Sequence, residues 1–593
     1  MVRRFSITAV ILVLFLSSTS AAIDVFPLDE VRPGMRGSGK TVVRGTNVET
    51  FDVEVIGVVP QNPPTPSLVM ISVSGDVIDL SGGIAAGMSG SPVYIDEKLL
   101  GAIGYGYAFT DHRVGLVTPA GRMLELMDGI PETSAALDLP DGAREVKTPL
   151  LVGGIDGRAF RFLEEQLGSY SIKMIPNMAG TMGTERQPLE PGSAFGVQLM
   201  RGDFQAASFG TVTHVEGERF VGFGHPFLHK GKVNYFVTPA QIHYTMPNLE
   251  FPFKVASSGP TIGSLHQDRA AGVAGDFNSV PDYLPIQIDV LDQDRSVSRS
   301  YRVETVRDDD LIAALGTSSA YQSIDAVLDR IGRGTAYVRL EIAAEGLEQP
   351  LIRENMYYSD SDIAVWSVYD LIDGLDLLLF NRIRDAGVSE VKFDVSVQEQ
   401  RRTASIEKAV PRRFEVTAGD SVEVEVVIRP YRGPVESRIM RVEIPEDTLP
   451  GYLTVTMRPG GYYYYTAVPD LHTTADDEPH EDEESRYPQT VTDGLDRLVE
   501  EFVNRERNNE IIAEFYPFID RFPPAEEDTY QENDEGDYPF ADEPMFEPES
   551  ASLVVPLFQF EWDQESGEPK RVRLTTQYVM EGTASFDLEV LER

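Results

Sequence analysis

Gly87-Met88-Ser89-Gly90-Ser91-Pro92 is the stretch on which the reading of this chain turns. Glycines on either side of Ser89 let the backbone bend sharply, and Pro92 closes the turn and stiffens the exit. Amide N–H groups around such a serine can converge on a developing oxyanion, which is what an acyl-transfer nucleophile needs. The same six residues also read as a plain Gly/Ser turn between strands, so their surroundings decide between the two.

Outward from the turn the texture is β. From Val25 to about Met127, short apolar runs alternate with Gly and Pro punctuation. Phe51-Asp52-Val53-Glu54-Val55-Ile56 and Leu68 to Val73 have strand periodicity, and Val117 to Asp128 reads as a short helix. Residues 149–300 repeat the pattern, with one predicted helix at Arg158 to Leu167. Residues 301–402 read as α+β, with helices predicted at Asp309 to Leu315, Tyr321 to Ile331 and Asp360 to Arg384. Residues 403–470 return to period-2 alternation, clearest in Ser421 to Ile428, and together with 551–593 they predict a β-sandwich. Thr492 to Phe515 is predicted as an amphipathic helix within the acidic span 471–550.

Composition narrows the chemistry. The chain has 593 residues, too many for one core, and a formal charge of −44, which disfavours nucleic acid and anionic lipid as partners. Eight acids between Asp470 and Glu484, and eleven between Pro523 and Glu549, stand without any Lys or Arg and read as solvated linkers. Cysteine is absent, which excludes thiol catalysis, a disulfide framework and cysteine-ligated zinc. Residues 1–22, with Arg3 and Arg4, an apolar Ile7 to Leu16 and a small-residue Ser20-Ala21-Ala22, read as a secretory signal. The expected location is therefore extracytoplasmic, periplasmic or secreted, with no membrane contact beyond the signal. Oligomeric state is not readable.

A serine nucleophile needs a base, and the chain has eight histidines. His225 in Phe223-Gly224-His225-Pro226-Phe227 stands out, because Gly224 permits close approach and Pro226 stiffens the exit from the histidine. His112, His214, His229, His243 and His266 lie in plainer settings, and His472 and His480 lie in an acidic tract. His225 and His229 are four apart, but Pro226 interrupts any helix that would pair them on a metal, so neither a metal nor a cofactor is expected.

Taken together the segments resemble the SpoIVB-type serine peptidase family. The resemblance runs through Ser81-Gly82-Gly83-Ile84, the serine turn with Val93, Lys98 to Ile103, and Gly115-Leu116-Val117-Thr118-Pro119. Val31 to Gly37 and Phe51 to Val58 look like long secreted bacterial proteins that carry this domain, as do Phe253-Lys254 and Gln267-Asp268-Arg269. Gly210-Thr211-Val212-Thr213 with Gly224-His225 resembles the family's histidine segment. The resemblance implies trypsin-like paired β-barrels (23–148 and 149–300) ahead of the α+β region and sandwich. It implies Ser89 as nucleophile, His225 as general base, and a protein or peptide substrate, the chain itself included. The backbone at Gly87 and Met88 would supply oxyanion donors. Two features depart from the family: the serine block precedes the histidine block, a permuted order, and Ser74 occupies the position of the family's aspartate. Asp76 and Asp268 are the candidates for the orienting acid. A non-catalytic binding or assembly protein that keeps the peptidase fold is the alternative.

Overall fold

The structure is a computed structural model that describes residues 23–60, 67–129, 139–146, 149–170, 172–177, 188–461, 494–517 and 569–592. The expected signal, both acidic tracts with His472 and His480, and the expected strand Leu553 to Phe560 lie outside these residues.

The first module closes on itself. Its strands run Arg36–Thr41, Glu49–Val59, Leu68–Ser74, Val114–Pro119, Lys98–Tyr107 and Pro92–Ile95, and the last of these pairs back onto the first. Phe51, Val53 and Val55 point into this barrel while Asp52, Glu54 and Ile56 face out, as strand alternation dictates. The serine turn leads directly into the short closing strand, so barrel closure and placement of Ser89 depend on the same residues.

The second module is also a closed six-stranded barrel. Ala194–Gly202, Gly231–Met246, Gly263–Arg269, Gly272–Asp276, Arg219–Gly222 and Gln205–Glu216 succeed one another around it, and Gln205–Glu216 pairs with Ala194–Gly202 to complete the ring. Paired barrels of the trypsin-like type are thus present, with the serine on the first and the histidine on the second. The second barrel's sheet continues past residue 300 without a break. Ala194–Gly202 pairs with Val297–Val306, and the sheet runs on through Tyr283–Asp292, Val388–Gln398 and Gly334–Ala344 to Leu351–Ser359. One hydrophobic core extends under both parts, from Leu150 to Phe502.

Several helices differ from the pattern predicted. The two predicted over 309–331 are a single helix, Asp309–Leu328, in which Ser319 and Ser323 donate back to the carbonyls of Leu315 and Ser319 across Gly316-Thr317-Ser318. Asp360 to Arg384 resolves into Ile363–Ser367 and Tyr369–Leu379. Thr492 to Phe515 is not one helix. Leu495–Val503 is helical, whereas Glu510–Phe515 is a strand held between Gly451–Pro459 and Lys570–Thr575. Fully buried Arg353 draws the helix to its end by donating to the carbonyls of Phe502 and Arg505, and the β-branched Ile511-Ile512 pair then enters the sheet.

The C-terminal sandwich packs a four-stranded sheet (Glu436–Glu443, Ser421–Pro430, Thr403–Pro411, Val579–Glu581) on a five-stranded one (Glu415–Thr417, Ala584–Leu591, Gly451–Pro459, Glu510–Phe515, Lys570–Thr575). No helix among the described residues is long and apolar enough to cross a membrane.

Candidate active site

The serine turn sits where the two barrels meet, and its carbonyls are capped by Gln205–Glu216 of the second barrel and by Phe253–Ser258, a strand that pairs with Gly231–Met246. Ala86 O accepts from Lys254 N at 2.9 Å, Ser89 O from Thr211 N at 2.8 Å, and Gly90 O from Thr213 Oγ1 at 2.7 Å. Gly87 O accepts twice, from Lys254 Nζ at 2.7 Å and Thr211 Oγ1 at 3.0 Å. Met88 O closes the turn on itself by accepting from Ser91 N at 2.9 Å. Every acceptor from Ala86 to Gly90 is therefore satisfied, as a buried backbone requires.

The turn depends on glycine. Gly87 and Gly90 lie at φ +97° and +90°, where side-chain-bearing residues are strained. A Cβ on Gly90 would stand 2.0 Å from Thr211 O and 2.5 Å from Phe223 N, contacts that no side chain survives.

The amides divide into used and available. Met88 N–H donates to Ala85 O at 2.8 Å, and Gly90 N–H to Ile103 O at 2.8 Å. The amides of Gly87 and Ser89 find no acceptor among the described residues. The expected oxyanion pair of Gly87 and Met88 thus shifts by one member. Met88 N–H is spent inside the turn, and the amides left without an acceptor among the described residues are those of Gly87 and Ser89.

His225 comes directly after a strained bend. Phe223 has φ +66°, unusual for an aromatic residue, and Gly224 is at +70°. The bend is held because the Phe223 ring lies against Gly210, where a Cβ would be 2.3 Å away, and because Thr118 Oγ1 donates to Gly224 O at 2.6 Å. Thr118 belongs to the first barrel, so both barrels fix the histidine segment. The imidazole is 1% exposed and packs against the rings of Tyr105 and Phe223, with centroids 6.3 and 5.8 Å away. Its Nδ1 lies 2.7 Å from Pro226 O. A carbonyl only accepts, so Nδ1 carries a proton, and Nε2 is the nitrogen left to act as a base.

The two acid candidates fall in different places. Asp268 is fully buried, and its carboxylate accepts from the amides of Phe227 and Leu228, both at 2.7 Å, and of Lys230 at 3.4 Å. It pins the loop that supplies Pro226 O; its oxygens are engaged by main chain. Burial pushes its pKa up, against the pull of those three donors. Asp76 is exposed at the start of the short helix Asp76–Ser81, beside an exposed Ser74 at the end of its strand.

The site is closed. Ser89 is 0% exposed, and its Oγ has no hydrogen-bond partner. Ser89 and His225 are not hydrogen-bonded to each other. Their segments are nonetheless neighbours across strand Gln205–Glu216: Thr211 N reaches Ser89 O, and Thr211 O receives Phe223 N at 3.5 Å. A buried hydroxyl left without a partner costs about 1–3 kcal/mol.

Residues 16–124 match the family model described as SpoIVB peptidase S55. The match supports a SpoIVB-type serine peptidase domain. It covers the first barrel with the serine turn and ends before the histidine segment. Curated proteins and solved structures give no match. The SpoIVB-type assignment thus rests on the first barrel, and the second joins it through the contacts described above.

Sequence reasoning singles out Ser89, His225 and Asp268 but misses Lys254 as part of the site. Lys254 is 0% exposed on strand Phe253–Ser258, with Nζ on Gly87 O and on Thr41 Oγ1 at 3.1 Å. Burial pushes its pKa down to about 7. A lysine inside an apolar strand is the available signal. Among the described residues no group of three or more His, Asp or Glu side chains could hold a metal ion.

Proposed function

We propose that this chain is a SpoIVB-type serine endopeptidase working outside the cytoplasm on a protein substrate, with Ser89 as nucleophile and His225 as general base. Ser89 Oγ attacks the scissile carbonyl carbon while His225 Nε2 takes the hydroxyl proton. The carbonyl oxygen becomes an oxyanion against the amides of Gly87 and Ser89. Collapse breaks the C–N bond, and His225 returns its proton to the departing amine. Water then repeats the sequence on the acyl-enzyme, with His225 again as base, and releases the acid and Ser89. Pro226 O does the orienting that a carboxylate does in other triads, and Asp268 holds the loop that carries Pro226.

The observation that carries this reading is the glycine-built turn at Ser89, whose two amides without an acceptor among the described residues belong to the serine and the residue two before it. Cleavage of casein, or of the chain itself, by wild type and Ser89→Ala tests it. Loss of cleavage in the variant is the expected result, and equal cleavage by both overturns the reading.

One observation favours a second reading, a binding or assembly protein on a peptidase fold. Ser89 is shut off from solvent, and its Oγ makes no hydrogen bond to His225 Nε2. On that reading Ser89 does not react with a fluorophosphonate, whereas the peptidase reading requires the barrels to part enough to admit one.

A further inference from the structure

Lys254 has no carboxylate partner among the described residues, although its ammonium is wholly buried. A buried charge without a counter-ion is costly, and an apolar residue would fill the same strand position at less cost. Its Nζ makes two polar contacts that an apolar residue at this position could not, to Gly87 O and to Thr41 Oγ1.

The effect of the first contact is visible in the peptide units of the serine turn. A peptide unit is planar and trans, so fixing its carbonyl sends its N–H the opposite way. Lys254 holds two successive units. Its main-chain N–H binds Ala86 O, which turns the Gly87 amide away from strand Phe253–Ser258. Its Nζ binds Gly87 O, which turns the Met88 amide onto Ala85 O. Gly87, the hinge between these units, has little backbone restraint of its own at φ +97°. The lysine stem fills the space that a Cβ there would occupy, 2.8 Å from its Cδ.

We propose that Lys254 is a positioning residue for the oxyanion donors: from strand Phe253–Ser258 its Nζ clamps the Gly87 carbonyl, and with it the Met88 amide, so that the Gly87 hinge cannot rotate and the turn that carries the Gly87 and Ser89 amides keeps one conformation as charge develops on the substrate. The role deepens the peptidase reading and rests on it. Lys254 touches neither the substrate nor the reacting atoms; it acts through Gly87.

The clamp is also sensitive to pH. The groups that meet the ammonium are neutral: Thr41 Oγ1, and Gly87 O, which it shares with Thr211 Oγ1. Two titratable side chains on the neighbouring strands are engaged elsewhere. Lys40 lies over the Tyr94 ring at 5.5 Å, and His243 Nε2 meets Ser257 Oγ at 2.6 Å. Above pH about 7 the amine is neutral and its hold on Gly87 O weakens. Acylation therefore acquires a falling alkaline limb that belongs to Lys254.

The test is acylation of Ser89 by a fluorophosphonate in the full chain, with its maximal rate separated from its affinity, across pH 6 to 9. Lys254→Met keeps the apolar stem and removes the ammonium; Lys254→Gln keeps a neutral donor. The expected result is that Lys254→Met loses more than about 10-fold in maximal rate with affinity within about two-fold, short of the roughly 10²- to 10³-fold lost when an oxyanion donor itself is removed. Lys254→Gln falls between, and both variants lack the alkaline limb. A folded Lys254→Met with the wild-type rate overturns the proposal and leaves the peptidase reading standing. If Lys254→Met does not fold, the limb decides: its absence from wild type, or its persistence in Lys254→Gln, overturns the proposal. A wild type that never labels at Ser89 overturns both.

Discussion

His225 donates through Nδ1 to the carbonyl oxygen of the next residue, Pro226, across 2.7 Å. The imidazole is thereby oriented by main chain, and its proton is placed on the nitrogen that a general base does not use. A carbonyl does this work without charge, so it fixes the tautomer but stabilises the imidazolium less than a carboxylate would. His225→Gln should therefore lower the rate of Ser89 acylation by about 10²- to 10⁴-fold, the range for loss of a general base. Time-resolved labelling with a fluorophosphonate measures it, and a loss below about ten-fold would remove His225 from the mechanism.

Asp268 pins the loop that carries Pro226, whose carbonyl oxygen meets His225 Nδ1. Asp268→Asn puts an amide N–H₂ where a carboxylate oxygen accepts from Phe227, Leu228 and Lys230. Loss of charge-assisted bonds to buried amides should cost about 2–3 kcal/mol, read from denaturant unfolding. Because Pro226 O moves with the loop, kcat should fall while KM holds. A variant as stable and as active as wild type would contradict this account of the loop.

Gly90 and Gly121 make a paired control. Gly90→Ala drives a Cβ into Thr211 O at 2.0 Å from a left-handed conformation, and should abolish soluble expression or cost more than about 4 kcal/mol. Gly121, in helix Ala120–Leu124, has open space around its Cβ position. Gly121→Ala should be neutral or stabilising by up to about 1 kcal/mol. Thermal unfolding of the two variants checks the contrast.

Much of the site is legible in the chain itself. Ser89 and His225 stand in segments where Gly and Pro impose backbone geometry, and that signal is local. The Phe51 to Ile56 alternation likewise reports a barrel wall directly. The features that sequence reasoning misses depend on contacts far apart in the chain. The helix predicted through Phe515 ends because Arg353 takes its terminal carbonyls and a sheet claims Glu510–Phe515. Asp268 is visible as a candidate acid, but its use on three amides of a loop some forty residues earlier is not. Lys254 stands out only as part of a resembling segment, because its role lies in a carbonyl 167 residues away.

Stability should carry the mark of Lys254. Its pKa is about 7 in the fold and ordinary, well above that, in the unfolded chain. Between those values the unfolded state binds the proton and the folded state does not, so stability rises with pH; below about 7 the burial penalty is fully present. Wild type should gain on Lys254→Met by up to about 1.4 kcal/mol per pH unit as pH climbs from about 7 toward 10. Parallel denaturation curves at about pH 6, 8 and 9.5 measure it, and a pH-independent difference would contradict it.

Whether Ser89 is a nucleophile worked by His225 is measured most directly by fluorophosphonate labelling of the full chain at pH 6 to 9, with the modified residue located by mass spectrometry. The expected result is one label per chain, on Ser89, absent in Ser89→Ala and strongly slowed in His225→Gln. No label at Ser89 anywhere in that range, in protein shown to be folded, would contradict it.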